Sequence, residues 1–328
     1  MSAVLSSSEE GSAAAAPKPD AEWFIVMNRG SGAAAKDEVR ECIEAELKAA
    51  GRRHRFVPFA PGEIVQACQE AARLAREQGG ILVAAGGDGT TNCAAQAAVG
   101  QDCPLGLIPQ GTFNLFARQL GLPLEPAAAT RALLDATPEP VQVGWANQRV
   151  FLVNASLGLY PQLLADREEV KQKLGRRRWI AMLAALRSLL EWRAQLRLDV
   201  ELDGELRQLR TASVFVGNNR LQLERVGIPD EVLREVGQGR LACVFVRPLG
   251  TWAKLRMLAA AAFGRLGEEQ AVDSLALRSI TVGARHARRI KVATDGEVSW
   301  MQLPVRITVA PQPLRMMLPP LEERLPPR

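Results

Sequence analysis

The sequence predicts an α/β chain in two parts: an N-terminal parallel sheet with helices on both faces, followed by a strand-rich domain. Three observations predict it. Apolar runs such as WFIVM (23–27), ILVAA (81–85) and PLGLIP (104–109) alternate with helix-length segments, the rhythm of repeated β-α-β units. Beyond about residue 140 the apolar spacing changes to two, with Asp203-Gly204 as a hairpin signal. Finally, ILVAA runs straight into GGDGTTN (86–92), an abrupt strand end that a buried strand does not itself require.

Residues 1–21 are rich in Ser, Ala, Glu and Pro and read as a tail too polar to order itself. WFIVMN is a buried strand, NRGSG (28–32) a turn, and residues 35–50 an Ala/Glu-rich helix stopped by Gly51. RHRFVPF (53–59) is a short strand, and a helix over 62–78 closes at Gly79 and Gly80. The strand ILVAA, a helix over 91–99, the strand PLGLIP, a helix over 113–120 and the stop GLPLEP complete the first domain, residues 22–140. In the second, residues 141–302, VQVGWANQRVFLVNASLG and LRLDVELDGELRQLRTASVFVGNN alternate as half-buried strands do. Between them, residues 178–194 place Trp179, Met182, Leu183, Leu186, Leu189 and Leu190 on one helical face. The Pro-rich end, residues 319–328, reads as an extended tail.

The 47% hydrophobic content supports a large core, and 5% aromatic content leaves Leu, Val, Ile and Ala to fill it. A formal charge of +5 suits anionic partners. Five cysteines, with no Cys-x-x-Cys pair, encourage neither a disulfide framework nor a zinc site. His54 and His286 have no metal-ligand spacing either. No apolar run approaches the ~20 residues of a membrane span and the N-terminus is not signal-like, so a cytoplasmic chain with peripheral membrane contact is expected. No nucleic-acid-binding motif accompanies the arginines. Trp192, Trp252 and Trp300 read as core before they read as an acyl site.

In an open parallel sheet, ligands sit beyond the carboxyl ends of the strands. Glycines there adopt positive φ at no cost and admit a phosphate to the backbone, while Thr90 or Thr91 caps a helix whose first amides favour an anion. Asp88 would repel phosphate unless a divalent cation or a hydrogen-bond role intervenes, and Mg²⁺ is the economical expectation. A plain strand-to-helix turn is the competing reading. Neither a Walker loop nor G-x-G-x-x-G is present. A second strand tip, QGTFNLFAR, sets Gly111, Thr112 and Asn114 before another helix, and two tips side by side form a crevice.

GGDGTTN at 86–92, GTFNLFARQLGLP at 111–123 and DGE at 295–297 together resemble the diacylglycerol kinase catalytic family. Its relatives include bacterial lipid kinases and sphingosine kinases and, more distantly, NAD kinases and phosphofructokinases. The resemblance covers roughly residues 23–318. It implies an N-terminal ATP domain of the NAD kinase/diacylglycerol kinase type and a C-terminal β-sandwich for the lipid, with residues 303–318 returning to the first domain. It implies that Gly86, Gly87, Asp88, Gly89 and Thr90 cradle the ATP phosphates, with Asp88 facing Mg²⁺. Asn28, Ser31 and Gly32 match a first-strand turn that faces nucleotide, with Arg29 in place of its proline. Gly111, Thr112 and Asn114 match the second loop, and Arg118 its basic residue. Asp295 would be the general base for the hydroxyl of diacylglycerol or a related lipid alcohol, with Glu297 orienting it or touching metal. Asp-Gly is also a common hairpin signal.

Besides Arg29, the chain departs from the family pattern in three places. Leu115 stands where most relatives carry aspartate, and Gln238 and Ala242 replace two acids of a structural metal loop. A catalytically weak lipid- or nucleotide-binding protein and an NAD kinase-like small-molecule kinase therefore stay open, as does a homodimer. Arg176, Arg177 and Arg178 precede the amphipathic segment, which either lies on an anionic membrane surface or packs on the second domain.

Overall fold

The computed structural model describes residues 20–28, 33–158, 196–247, 272–284 and 287–326. In the first domain β1 (Trp23–Met27), α1 (Ala33–Ala49), β2 (His54–Phe56), α2 (Ile64–Gln78), β3 (Ile81–Gly86), α3 (Asp88–Gln101), β4 (Leu105–Pro109), α4 (Leu115–Gln119), α5 (Pro126–Leu134) and β5 (Thr137–Val141) follow one another. β1, β3 and β4 are buried along their whole length, as strands covered on both faces must be, which is why they read as continuous apolar runs. Alternate side chains enter opposite layers. Phe24 and Val26 join a cluster with Ala67, Ala71 and Ala95 of α2 and α3, while Trp23, Ile25 and Met27 pack with Ile43, Leu47 and Leu133 of α1 and α5.

The second domain contains β6 (Gly144–Ala146), β7 (Arg149–Phe151), β8 (Asn154–Gly158), β9 (Leu196–Leu202), β10 (Glu205–Thr211), β11 (Ser213–Gly217), α6 (Arg220–Arg225), α7 (Asp230–Glu235), β12 (Leu241–Val246), β13 (Val272–Leu277), β14 (Ser279–Gly283), β15 (Arg289–Thr294), β16 (Glu297–Gln302) and β17 (Val305–Val309). They form two sheets, ordered β10-β9-β14-β17-β6-β7 and β13-β12-β11-β8-β15-β16. Val200, Ile280 and Ile307 of one sheet and Val214, Val216 and Val292 of the other share one apolar core, the sandwich arrangement. The β9–β10 hairpin turns at Asp203 (φ 46°) and Gly204 (φ 96°), both left-handed as a two-residue turn requires.

The last strand, β18 (Leu314–Leu318), completes the first sheet in the order β2-β1-β3-β4-β18-β5, parallel to β4 and antiparallel to β5. Of residues 303–318, expected to return, Val305–Val309 thus stay in the sandwich and Leu314–Leu318 join the first sheet. Other elements also differ from expectation. α3 begins at Asp88 rather than at residue 91. α5 was not foreseen, although Glu125 accepts from the amides of Ala127 and Ala128 and Pro126 opens the helix. The C-terminal tail is tied to the first domain as far as Leu325: Leu325 N donates to Gly121 O at 2.8 Å, and Arg324 pairs with Glu139. Asp20 and Ala21 similarly belong to the domain, Ala21 being buried and Asp20 O accepting from Arg53.

Ser31, Gly32, Arg29, the helix expected over 178–194, Trp252 and His286 lie outside the described residues. All five cysteines are free, and burial pushes the Cys68 and Cys103 thiols up to about 12. Among the described residues no helix is long and apolar enough to cross a membrane.

Candidate active site

Two strand tips touch through glycine. A Cβ on Gly111 would lie 2.9 Å from Gly87 Cα and 2.6 Å from Asn114 Oδ1, and one on Gly86 only 2.5 Å from Thr90 Oγ1. Gln110 N donates to Gly86 O at 2.8 Å, fixing the tips side by side. The glycines are therefore required for close approach. The positive φ expected of them is not adopted, and the left-handed positions of the cleft are Asn114 (φ 48°) and Asp295 (φ 49°). Gly111→Ala is accordingly expected to destabilise the chain by about 1–3 kcal/mol, because the clashing neighbour is backbone. Gly89→Ala, whose Cβ would meet only Glu297 Oε1 at 3.7 Å, should leave stability unchanged while weakening nucleotide binding. Denaturant unfolding and an ATP titration on both variants check this.

α3 starts at this junction with Gly87 as N-cap and no side-chain cap. Thr90 and Thr91, expected to cap it, are buried, and Thr90 packs against Gly86 instead. The first-turn amides have no acceptor within the helix, and the dipole favours an anion there. Asn114 Oδ1 accepts from Gly111 N at 2.9 Å and its Nδ2 donates to Gly111 O at 2.8 Å. The Asn114 amide thus stitches its own loop rather than facing the cleft. Arg118 Nε donates to Phe113 O at 2.8 Å, while Thr112 is exposed. Asn28 follows β1, its N–H bonded to Ala85 O at 3.2 Å, and lines a cavity of about 810 Å³ with Phe56, Pro58, Phe59 and Ile64.

The β15–β16 hairpin brings the third motif across from the sandwich. Asp295 Oδ2 accepts from Asn92 Nδ2 and Leu152 N, both at 2.7 Å, and Oδ1 from Val153 N at 2.8 Å and Asn154 N at 3.0 Å. Asp295-Gly296 is also the turn of that hairpin, with φ of 49° and 89°. Burial pushes the Asp295 carboxyl above the usual carboxylate range, opposed by the backbone amides and Asn92. Its four acceptor positions are filled within the protein. Glu297, by contrast, is exposed, sits opposite Gly89 and pairs with Arg149 at 2.6 Å. Asn92 and Arg149 were not among the expected site residues. Asn92 stood within GGDGTTN, one helical turn after Asp88, whereas Arg149 had no local signal.

Residues 22–146 match the diacylglycerol kinase catalytic domain, and residues 165–318 the YegS C-terminal NAD kinase beta sandwich-like domain. The first domain is thus similar to the diacylglycerol kinase catalytic domain, and the second to the sandwich-like domain of YegS. The "probable lipid kinase YegS-like" protein of Pseudomonas aeruginosa is 38% identical over 145 residues, 43% of this chain and 47% of that protein. Its namesake in Pseudomonas putida is 42% identical over 97 residues, 29% of this chain and 32% of its own length. The chain thus spans about half or less of the curated relatives it matches. A crystal structure of a diacylglycerol kinase from Bacillus anthracis str. Sterne shares the fold, with TM-score 0.63 and 22% identity over 92% of this chain and 97% of its own.

Among the described residues, Asp88 would fit a metal ion as a donor. Asp88 Oδ2 accepts from Asn114 N at 3.2 Å, and among the described residues its Oδ1 has no partner. Mg²⁺ commonly uses one or two carboxylates plus substrate phosphates, which a lone acid at an uncapped helix start suits. Among the described residues no group of three His, Cys, Asp or Glu is assembled for a metal. The loop containing Gln238 is held by Gln142, whose Oε1 accepts from Gly239 N at 2.7 Å and whose Nε2 donates to Arg240 O at 2.9 Å. Ala242 is buried in an apolar cluster with Leu223 and Val232, where a carboxylate would lack any counter-charge.

Proposed function

We propose that this chain transfers the γ-phosphate of ATP to the hydroxyl of diacylglycerol or a related lipid alcohol at a membrane surface. The observation that carries the reading is the meeting of Glu297 with the glycine-built, uncapped start of α3. That arrangement puts anion-binding amides and an acid that can take a proton within one cleft. The first-turn amides of α3 hold the phosphates, Asp88 holds Mg²⁺, and the cavity beside Asn28 and Phe59 takes the nucleoside. Bound Mg²⁺ supplies charge neutralisation at the phosphate oxygens.

As the lipid oxygen bonds to the γ-phosphorus, the bond to the bridging oxygen breaks and ADP leaves. The hydroxyl proton passes to Glu297. Asp295, first expected to be the base, is reassigned to positioning because a fifth partner would have to displace one of its four donors. Phosphoryl transfer depends mainly on positioning and charge stabilisation, so the rigid junction of tips and hairpin is the main contribution of the protein.

Labelled ATP, Mg²⁺ and a panel of long-chain alcohols, with NAD included, test the reading. The expected result is label in a lipid product. ATP binding with no transfer to any lipid would favour the binding-protein reading, and label in NAD without stimulation by lipid vesicles would favour a small-molecule kinase.

A further inference from the structure

β16 is an edge strand of its sheet, and its outward face carries Trp300, 56% exposed in a chain that buries most of its large apolar side chains. Two cations flank the indole. Arg289 lies 4.8 Å from the ring centroid and Lys291, its register partner on β15, 5.6 Å. Among the described residues neither cation has a carboxylate partner, so their charge is not neutralised within the protein. Beside them, the open seam between β16 and the β6–β7 edge forms a groove of about 840 Å³ whose wall includes Arg306. Trp300 stands three residues along the strand from Glu297, so the two side chains leave opposite faces of β16.

We infer that this edge, Trp300 between Arg289 and Lys291 with Arg306 beside it, docks on an anionic phospholipid bilayer. An indole with an apolar body and a polar N–H settles at the headgroup level, and adjacent cations are attracted by the negative surface potential. Cations stacked on the ring keep it presented outward. Preference for a bilayer over another polyanion rests on the lipid-kinase reading, since a lipid kinase meets its substrate at a bilayer.

Sedimentation of the full chain with vesicles, in the absence of ATP, tests docking separately from turnover. Binding is expected to phosphatidylcholine vesicles containing phosphatidylglycerol and not to phosphatidylcholine alone. The double variant R289Q/K291Q should bind on the order of 25-fold more weakly, about fivefold per cation, and W300A on the order of tenfold more weakly. Leu206→Ala, on the exposed β10 edge of the other sheet, should bind as wild type does. Thermal melting identifies any variant that fails to fold, and Trp300→Phe then serves in place of W300A. Unchanged vesicle binding by the folded variants overturns the inference, as does equal binding of the wild type to neutral vesicles. DNA binding that the substitutions abolish, without vesicle binding by the wild type, would assign the edge to nucleic acid and also overturn it. Vesicle binding by a wild type that phosphorylates no lipid would refute the kinase reading alone.

Discussion

Asp295→Asn is expected to destabilise the chain by about 3 kcal/mol and to remove phosphoryl transfer altogether. An asparagine keeps one acceptor oxygen and turns an NH₂ group toward two of the four donors that now meet the carboxylate. Two enclosed N–H groups then lose their acceptor, at roughly 1–3 kcal/mol each. The loss spans the domain junction, because Asn92 belongs to α3 while Leu152 and Val153 form the β7–β8 turn and Asn154 opens β8 in the sandwich. Denaturant unfolding alongside the lipid assay decides it. A variant with wild-type stability but no transfer would restore Asp295 to the role of base.

Glu297→Gln should behave in the opposite way, with transfer falling by about 10²–10⁴-fold, the range for loss of a general base, and unfolding left nearly unchanged. The side chain is exposed and its pair with Arg149 lies at the surface, where such a bridge contributes little, about 0–1 kcal/mol. Glutamine preserves shape and can still accept from Arg149, so the lost property is proton acceptance. The decisive reading is kcat against KM, the loss falling on kcat with the lipid KM unchanged. A raised lipid KM with kcat kept would mean that Glu297 only positions the substrate.

Much of the fold was legible because β1, β3 and β4 are covered on both faces and so must be apolar at every position. The second domain was legible through period-two alternation for a complementary reason, each strand having one face in the sandwich core. Short elements escaped notice. α6 and α7 have six residues each, too few for a helical period to stand out from surrounding loop residues. α5 was hidden behind the Pro of GLPLEP, read as a stop when Pro126 in fact opens a helix capped by Glu125. Local pattern also could not place β18 between β4 and β5, because an apolar strand suits either sheet and only long-range register decides.

For the site, composition along the chain determined that glycines and acids stand at strand ends, since a close approach of two backbones can be made only with residues lacking Cβ. What each of those residues does was decided in three dimensions. Whether a carboxylate is free to accept a proton depends on donors as remote as Asn92 and Leu152, 203 and 143 residues away from Asp295. The same holds for the Asn114 amide, turned back on its own loop, and for Trp300, left outside by the sheet edge. Hydrogen bonding and burial are properties of the folded neighbourhood, and no local residue pattern encodes them.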